Sequence, residues 1–170
     1  MSVVVIGFIG RSGMGKTTFV TQLTEKLRTK GYRIAVLKDT HHQVDWDRPG
    51  KDSYRYRRAG ACTVILRTPE RCLIQKRTKQ RTRLDRLIAW VQDVDIIFVE
   101  GFKNECSYPK FEIYRSGVST HPPLYTQIDV AGVITCPGRE MAYPGPLFSL
   151  DDVDAFRTYL QENYLNQRKA

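Results

Sequence analysis

Residues 10 to 17 read Gly10-Arg11-Ser12-Gly13-Met14-Gly15-Lys16-Thr17, with Thr18 following, and complete a G-x-x-x-x-G-K-[ST] phosphate-binding loop. The chemistry of such a loop is anion capture. Consecutive backbone N–H groups and the positive end of the next helix surround one phosphate. Gly13 and Gly15 let the backbone curl close to it. Lys16 reaches the β and γ oxygens, and the Thr17 hydroxyl is placed to ligate Mg²⁺. The alternative is a glycine turn with only a structural role. The setting favours chemistry, because an apolar run at residues 3–9 precedes the loop and a helical pattern follows at once. The pattern therefore implies a bound nucleoside triphosphate.

Two carboxylates are placed to serve that site. Glu100 ends the apolar run of residues 96–99 and is followed by Gly101, as in a Walker-B-like strand. A carboxylate at such a tip can hold Mg²⁺ through water or orient an attacking water. It can equally cap a neighbouring helix or pair with a basic residue. Asp39, at the tip of the second expected strand, is a further candidate for the metal sphere. Arg11 in the loop could serve in trans as an arginine finger, although that position usually faces solvent.

Residues 39–51 read DTHHQVDWDRPGK, a long polar connection of the kind that is usually functional or mobile. Thr40, His41 and His42 lie in it. Adjacent histidines on an extended segment point to opposite sides, so a contact to ligand or partner fits them better than a shared metal. Pro49-Gly50-Lys51-Asp52-Ser53 combines a turn, a cation and a helix start. It suits a second anion, or an ordinary cap made by Asp52 or Ser53.

Positioning these groups requires strands that alternate with helices. Residues 3–9, 32–38, 95–99, 110–114 and 130–135 read as strands. Phe19, Val20, Leu23 and Leu27 mark one helix, closed by Gly31. Residues 52–59 form a short helix ended by Gly60, and Leu84, Leu87, Ile88 and Val91 mark another. Asp151 and Asp152 open a C-terminal helix carrying Val153, Phe156 and Leu160. Residues 62–67 and 71–76, separated by Thr68-Pro69-Glu70, are candidates for an extra hairpin. Residues 138–146 read as a surface loop. The expectation is an α/β, P-loop NTPase-like fold: a mostly parallel sheet flanked by helices, in one domain spanning residues 1–170. The loop, Asp39, Glu100 and Thr135-Cys136-Pro137 then gather at the carboxyl ends of the strands.

The 27 Lys and Arg outnumber the 18 Asp and Glu, for a net charge of +9. The excess concentrates between Lys51 and Arg86. It reads either as a solvated basic face or as a docking surface for a phosphorylated ligand or an acidic partner. No aromatic-rich RNA signature accompanies it, which makes nucleic acid a minor reading. Cys62, Cys72, Cys106 and Cys136 show no C-x-x-C spacing, consistent with free thiols in a cytoplasmic setting. No signal peptide or membrane span is legible.

Taken in order, GRSGMGKTT, LKDTHH, DRPGKDSYRYRRAGA and DIIFVEGFK resemble the MobB family of molybdopterin guanine dinucleotide biosynthesis adapters. The resemblance is strongest over residues 1–115. It implies GTP as the nucleotide, with Mg²⁺, weak GTPase activity and a homodimer. It also implies association with a MobA-like guanylyltransferase and a contact to molybdopterin. Carried over, residues 10–18 cradle the nucleotide. Thr40, His41 and His42, with Gly50, Lys51, Asp52 and Ser53, form the neighbouring surface, while Glu100, Gly101, Phe102 and Lys103 line the catalytic edge. Asp39 stands where a basic residue is expected. No N-K-x-D motif is present, so the preference for guanine rests on the resemblance. Two other functions are open: a small-molecule kinase, from the loop, and an RNA-binding or regulatory switch, from the basic central segment.

Overall fold

An unbroken apolar run becomes a strand when both of its faces can be covered. β1 (Val4–Ile9) and β5 (Ile96–Glu100) do so at the centre of a six-stranded sheet, and all five residues of β5 are buried. The other members are β2 (Ile34–Lys38), β6 (Lys110–Tyr114), β7 (Gly132–Thr135) and β8 (Leu147–Ser149). The order is β2-β5-β1-β6-β7-β8, and every neighbouring pair is parallel. The expected parallel α/β fold is the one observed. The computed structural model describes residues 3–42, 44, 47–105, 107–137 and 141–166.

The described chain divides into two compact units, residues 1–39 with 87–170, and residues 40–86. In the first unit, α1 (Lys16–Arg28) and α4 (Val153–Leu160) pack together and onto the sheet. Phe19, Val20, Leu23 and Leu27 of α1 are buried, as their four-residue spacing requires. α1 ends in a Schellman turn: Gly31 N–H reaches the Arg28 carbonyl and Tyr32 N–H reaches that of Leu27. Val153, Phe156 and Leu160 are the buried face of α4, whose N-cap Asp152 accepts from Ala155 N–H at 3.0 Å. Between helices and sheet, Phe111 stands edge-on to Phe156 with centroids 4.9 Å apart, and Phe8, Phe19 and Phe148 complete the cluster. Ile9, Leu124, Val130 and Val133 make a smaller core.

The second unit holds α2 (Asp52–Arg58) and an antiparallel pair, β3 (Thr63–Arg67) with β4 (Cys72–Lys76). The hairpin forms where the sequence placed it. α3 (Leu84–Ala89) stops before Val91, and the division between units falls within it.

Three elements go beyond the sequence reading: β8, a 3-10 turn at Leu124–Thr126, and a π-helical turn at Gln161–Leu165 that extends α4. Each is too short to show a period. Among the described residues, no helix is long and apolar enough to cross a membrane. Cys62, Cys72 and Cys136 are free thiols. Cys106, Gln43, Asp45 and Trp46 of the long connection, and residues 138–140 of the expected surface loop, lie outside the described residues.

Candidate functional site

β1 delivers the chain into the phosphate loop at the carboxyl edge of the sheet. Gly10 turns there with φ 148°, and a Cβ would lie 2.4 Å from the Ile113 carbonyl oxygen, so the turn requires glycine. α1 starts behind Gly15, which has φ 90° and provides no side-chain cap. The leading N–H groups of the helix are left for an external acceptor, the arrangement that holds a phosphate. Ser12, Gly13, Thr17 and Thr18 are exposed around the loop. Met14 differs from them: its side chain joins the core, which leaves only its backbone for a ligand.

Lys16 bends back across the loop, and its Nζ donates to the Arg11 carbonyl at 2.7 Å. Burial draws its pKa below the ordinary lysine value. Glu100 opposes that shift, and Lys103 and Lys38 reinforce it. A polyphosphate entering the loop would offer this ammonium a far better partner than a carbonyl.

Glu100 is buried at the tip of β5. Its two carboxylate oxygens lie 3.1 and 3.2 Å from Thr17 Oγ1, which donates to them. The expected Walker pair is thus in contact across 83 residues of sequence. A hydroxyl and a carboxylate are hard oxygen donors, and a cation already stands between them in the form of the Lys38 ammonium. These residues fit Mg²⁺. Asp39 is half-buried beside them, and its N–H donates to the Glu100 carbonyl at 2.9 Å. Gly101 follows with φ 97°, where a Cβ would come within 3.0 Å of Asp39 Cβ. Phe102 then adopts φ 47°, a left-handed conformation rare for a bulky residue and the kind of strain found at functional sites. Tyr108 holds it there, donating its hydroxyl to the Phe102 carbonyl at 3.3 Å. Further along the same edge, Tyr114 and Thr135 are register partners at the tips of β6 and β7. Strand order therefore gathers Gly10, Asp39, Glu100 and Thr135 on one edge.

Arg11 is half-buried and close enough to Glu112 to lower its pKa, whereas solvent exposure is usual at that position of the loop. Glu112 itself is 1% exposed and accepts from the N–H groups of Leu124 and Tyr125 at 2.7 and 2.8 Å. Burial pushes its pKa up against those two hydrogen bonds. It fastens the 3-10 turn to β6, beside the loop.

The second unit carries the remaining candidates. Thr40 Oγ1 accepts from His42 N–H at 3.2 Å, and the exposed His41 places Nδ1 3.4 Å from an Arg81 guanidinium nitrogen. Lys51 and Asp52 are exposed. The expected cap by Asp52 or Ser53 does not form: the N-cap position falls on Lys51 and carries no side-chain bond. Ser53 is buried instead and donates to Asp47 Oδ1 at 3.0 Å. Asp52 lies in the first turn, where its charge suits the helix dipole. The basic residues between Lys51 and Arg86 are all exposed.

The sequence model of the family described as "Molybdopterin guanine dinucleotide synthesis protein B", MobB, matches residues 5–136. The chain belongs to the MobB family. It is 33% identical over 161 residues to the molybdopterin-guanine dinucleotide biosynthesis adapter protein of Escherichia coli, covering 92% of this chain and 91% of the relative. The Haemophilus influenzae protein of the same name is 37% identical over 120 residues, covering 69% and 67%. The crystal structure of Bacillus subtilis MobB superposes with a TM-score of 0.74 at 25% identity, over 94% of this chain and 97% of that one. Membership sets the chain in the biosynthesis of molybdopterin guanine dinucleotide.

Within this MobB scaffold, Lys38, Tyr108 and Glu112 escaped the sequence reading, and so did the left-handed backbone of Phe102. Glu112 had a legible signal, a carboxylate at the centre of an apolar strand. Lys38 had a weaker one, a cation at the last position of a strand, and its meaning depends on which strand lies beside it.

Proposed function

We propose that this chain is a GTP-binding adapter of molybdopterin guanine dinucleotide biosynthesis that acts with a MobA-like guanylyltransferase as a homodimer. The observation that carries the reading is the contact between Thr17 and Glu100 at the mouth of an uncapped α1. Strand, loop and helix bring the two groups that a nucleotide-bound metal needs onto one sheet edge. In this reading the N–H groups of residues 10–18 and the Lys16 ammonium take the phosphates. Thr17 and Glu100 hold Mg²⁺, with Asp39 beside them. Bound there, Mg²⁺ would neutralise phosphate charge.

Hydrolysis is expected to be slow. Glu100 is the site's candidate for orienting water, and it is engaged by Thr17 and Lys38. An adapter that holds nucleotide for a partner suits that arrangement better than rapid turnover does. Thr40, His41, His42, Lys51 and Asp52 remain in this reading as an exposed contact surface for ligand or partner, molybdopterin included.

Calorimetric titration of GTP and of ATP with Mg²⁺, using Lys16→Ala as control, tests the reading. GTP is expected to bind in preference to ATP, with about a hundredfold loss or more in the variant, because a charge-assisted phosphate contact is removed. Equal binding of both nucleotides, or a folded Lys16→Ala chain with unchanged affinity, would contradict it.

A further inference from the structure

Lys38 closes β2, and the parallel register sets it directly beside Glu100 on β5. Neighbouring residues of one register share a face, so the two side chains meet. The Lys38 ammonium lies 3.0 Å from Thr17 Oγ1 and 3.2 Å from Glu100 Oε1. Thr17 gives its hydroxyl proton to the carboxylate and receives one from Lys38, which uses the donor and acceptor capacity of one hydroxyl in both directions. One positive charge is thus held by the two side chains assigned above to the metal.

Burial makes that charge necessary and its position makes it removable. The Glu100 side chain is 7% exposed, and a buried carboxylate demands a counter-charge. The Lys38 side chain is 53% exposed, so its head can swing into solvent without uncovering a core. Lys16 adds positive charge near the same carboxylate, and Lys103 adds more near Lys16. A bare divalent ion would enter a site already rich in cations. A metal arriving with a polyphosphate would meet the opposite balance.

We propose that Lys38 is the resident counter-ion of the metal position: its ammonium excludes a divalent cation until nucleotide phosphates arrive and draw it away. This rests on the nucleotide reading for its trigger, while the exclusion itself is a property of the nucleotide-free chain.

The test is Mn²⁺ binding to the full chain without nucleotide, followed by the loss of the free-ion signal in electron paramagnetic resonance. Wild type is expected to bind Mn²⁺ only weakly, and Lys38→Met to bind it about tenfold more tightly or better, since a like charge is removed. Lys38→Arg should keep the exclusion. The gain should vanish in Lys38→Met combined with Thr17→Val, with circular dichroism checking that each variant folds. Adding GTP to wild type should tighten Mn²⁺ binding. Mn²⁺ binding by nucleotide-free wild type as tight as by Lys38→Met would overturn the proposal, and so would a gain that survives Thr17→Val. A wild type that binds no GTP overturns the nucleotide reading and its trigger, whereas the nucleotide-free titration judges Lys38 independently.

Discussion

The six-stranded sheet and the β3–β4 hairpin are written in nearly the same residues and meet opposite fates. Ile96, Ile97, Phe98 and Val99 are at most 1% exposed. Ile65 and Ile74 are 60% and 62% exposed, and of the apolar hairpin residues Val64 is the buried one. β-branched and aliphatic types say that a strand forms; they do not say what covers it. The central strands have a neighbour on each side and α1 and α4 across one face, whereas the hairpin has one partner strand and a short helix. In the proposed reading phosphate chemistry falls to the covered sheet, because N–H groups and carboxylates must be held in place before a ligand arrives. The apolar side chains of the hairpin stay at the surface.

Substitutions can sharpen that contrast. Phe111→Ala, at the centre of the ring cluster, should cost about 3–5 kcal/mol in denaturant unfolding, the range for emptying an aromatic site in a packed core. A loss below about 1 kcal/mol would mean that the sheet is no better packed than the hairpin.

Glu112→Gln probes the same unit through a polar contact. A glutamine offers one oxygen where the carboxylate accepts two N–H groups, so one of them loses its partner, at about 1–3 kcal/mol. The pH dependence carries a sign. Glu112 has a folded pKa raised above its ordinary 4.5, so its stabilising contribution is complete below that value and declines as pH rises through the folded pKa. The stability advantage of wild type over Glu112→Gln should therefore narrow as pH is raised above 4.5 in parallel unfolding titrations. An advantage that widens would reverse the assignment. Smallest of all, Ile74→Ala should stay within about 0.5 kcal/mol of wild type, as a surface change does. A larger cost would show that the hairpin face is covered in solution.

The sequence was most readable where structure is local. The phosphate loop, the buried stripe of α1, the glycine closing it and the Asp152 cap of α4 depend on residues within a few positions of one another. The central strands were legible because burial on both faces leaves no polar positions. What stayed hidden depends on distant partners. Lys38 acquires meaning only from the β2–β5 register, and the left-handed backbone of Phe102 from the Tyr108 hydroxyl that pins it. Glu112 needs N–H groups twelve and thirteen residues away. β8 has three residues and follows Pro146, too few for a pattern of two to declare itself. The expected cap at Asp52 or Ser53 failed because the serine found a tertiary partner in Asp47, which propensity does not foresee.

The most direct test of the account is backbone hydrogen exchange with and without GTP and Mg²⁺. The account predicts slowed exchange in residues 10–18 and 101–103, with β3 and β4 unchanged. Protection confined to residues 63–76, with the phosphate loop exchanging as before, would contradict it and move the ligand to the hairpin.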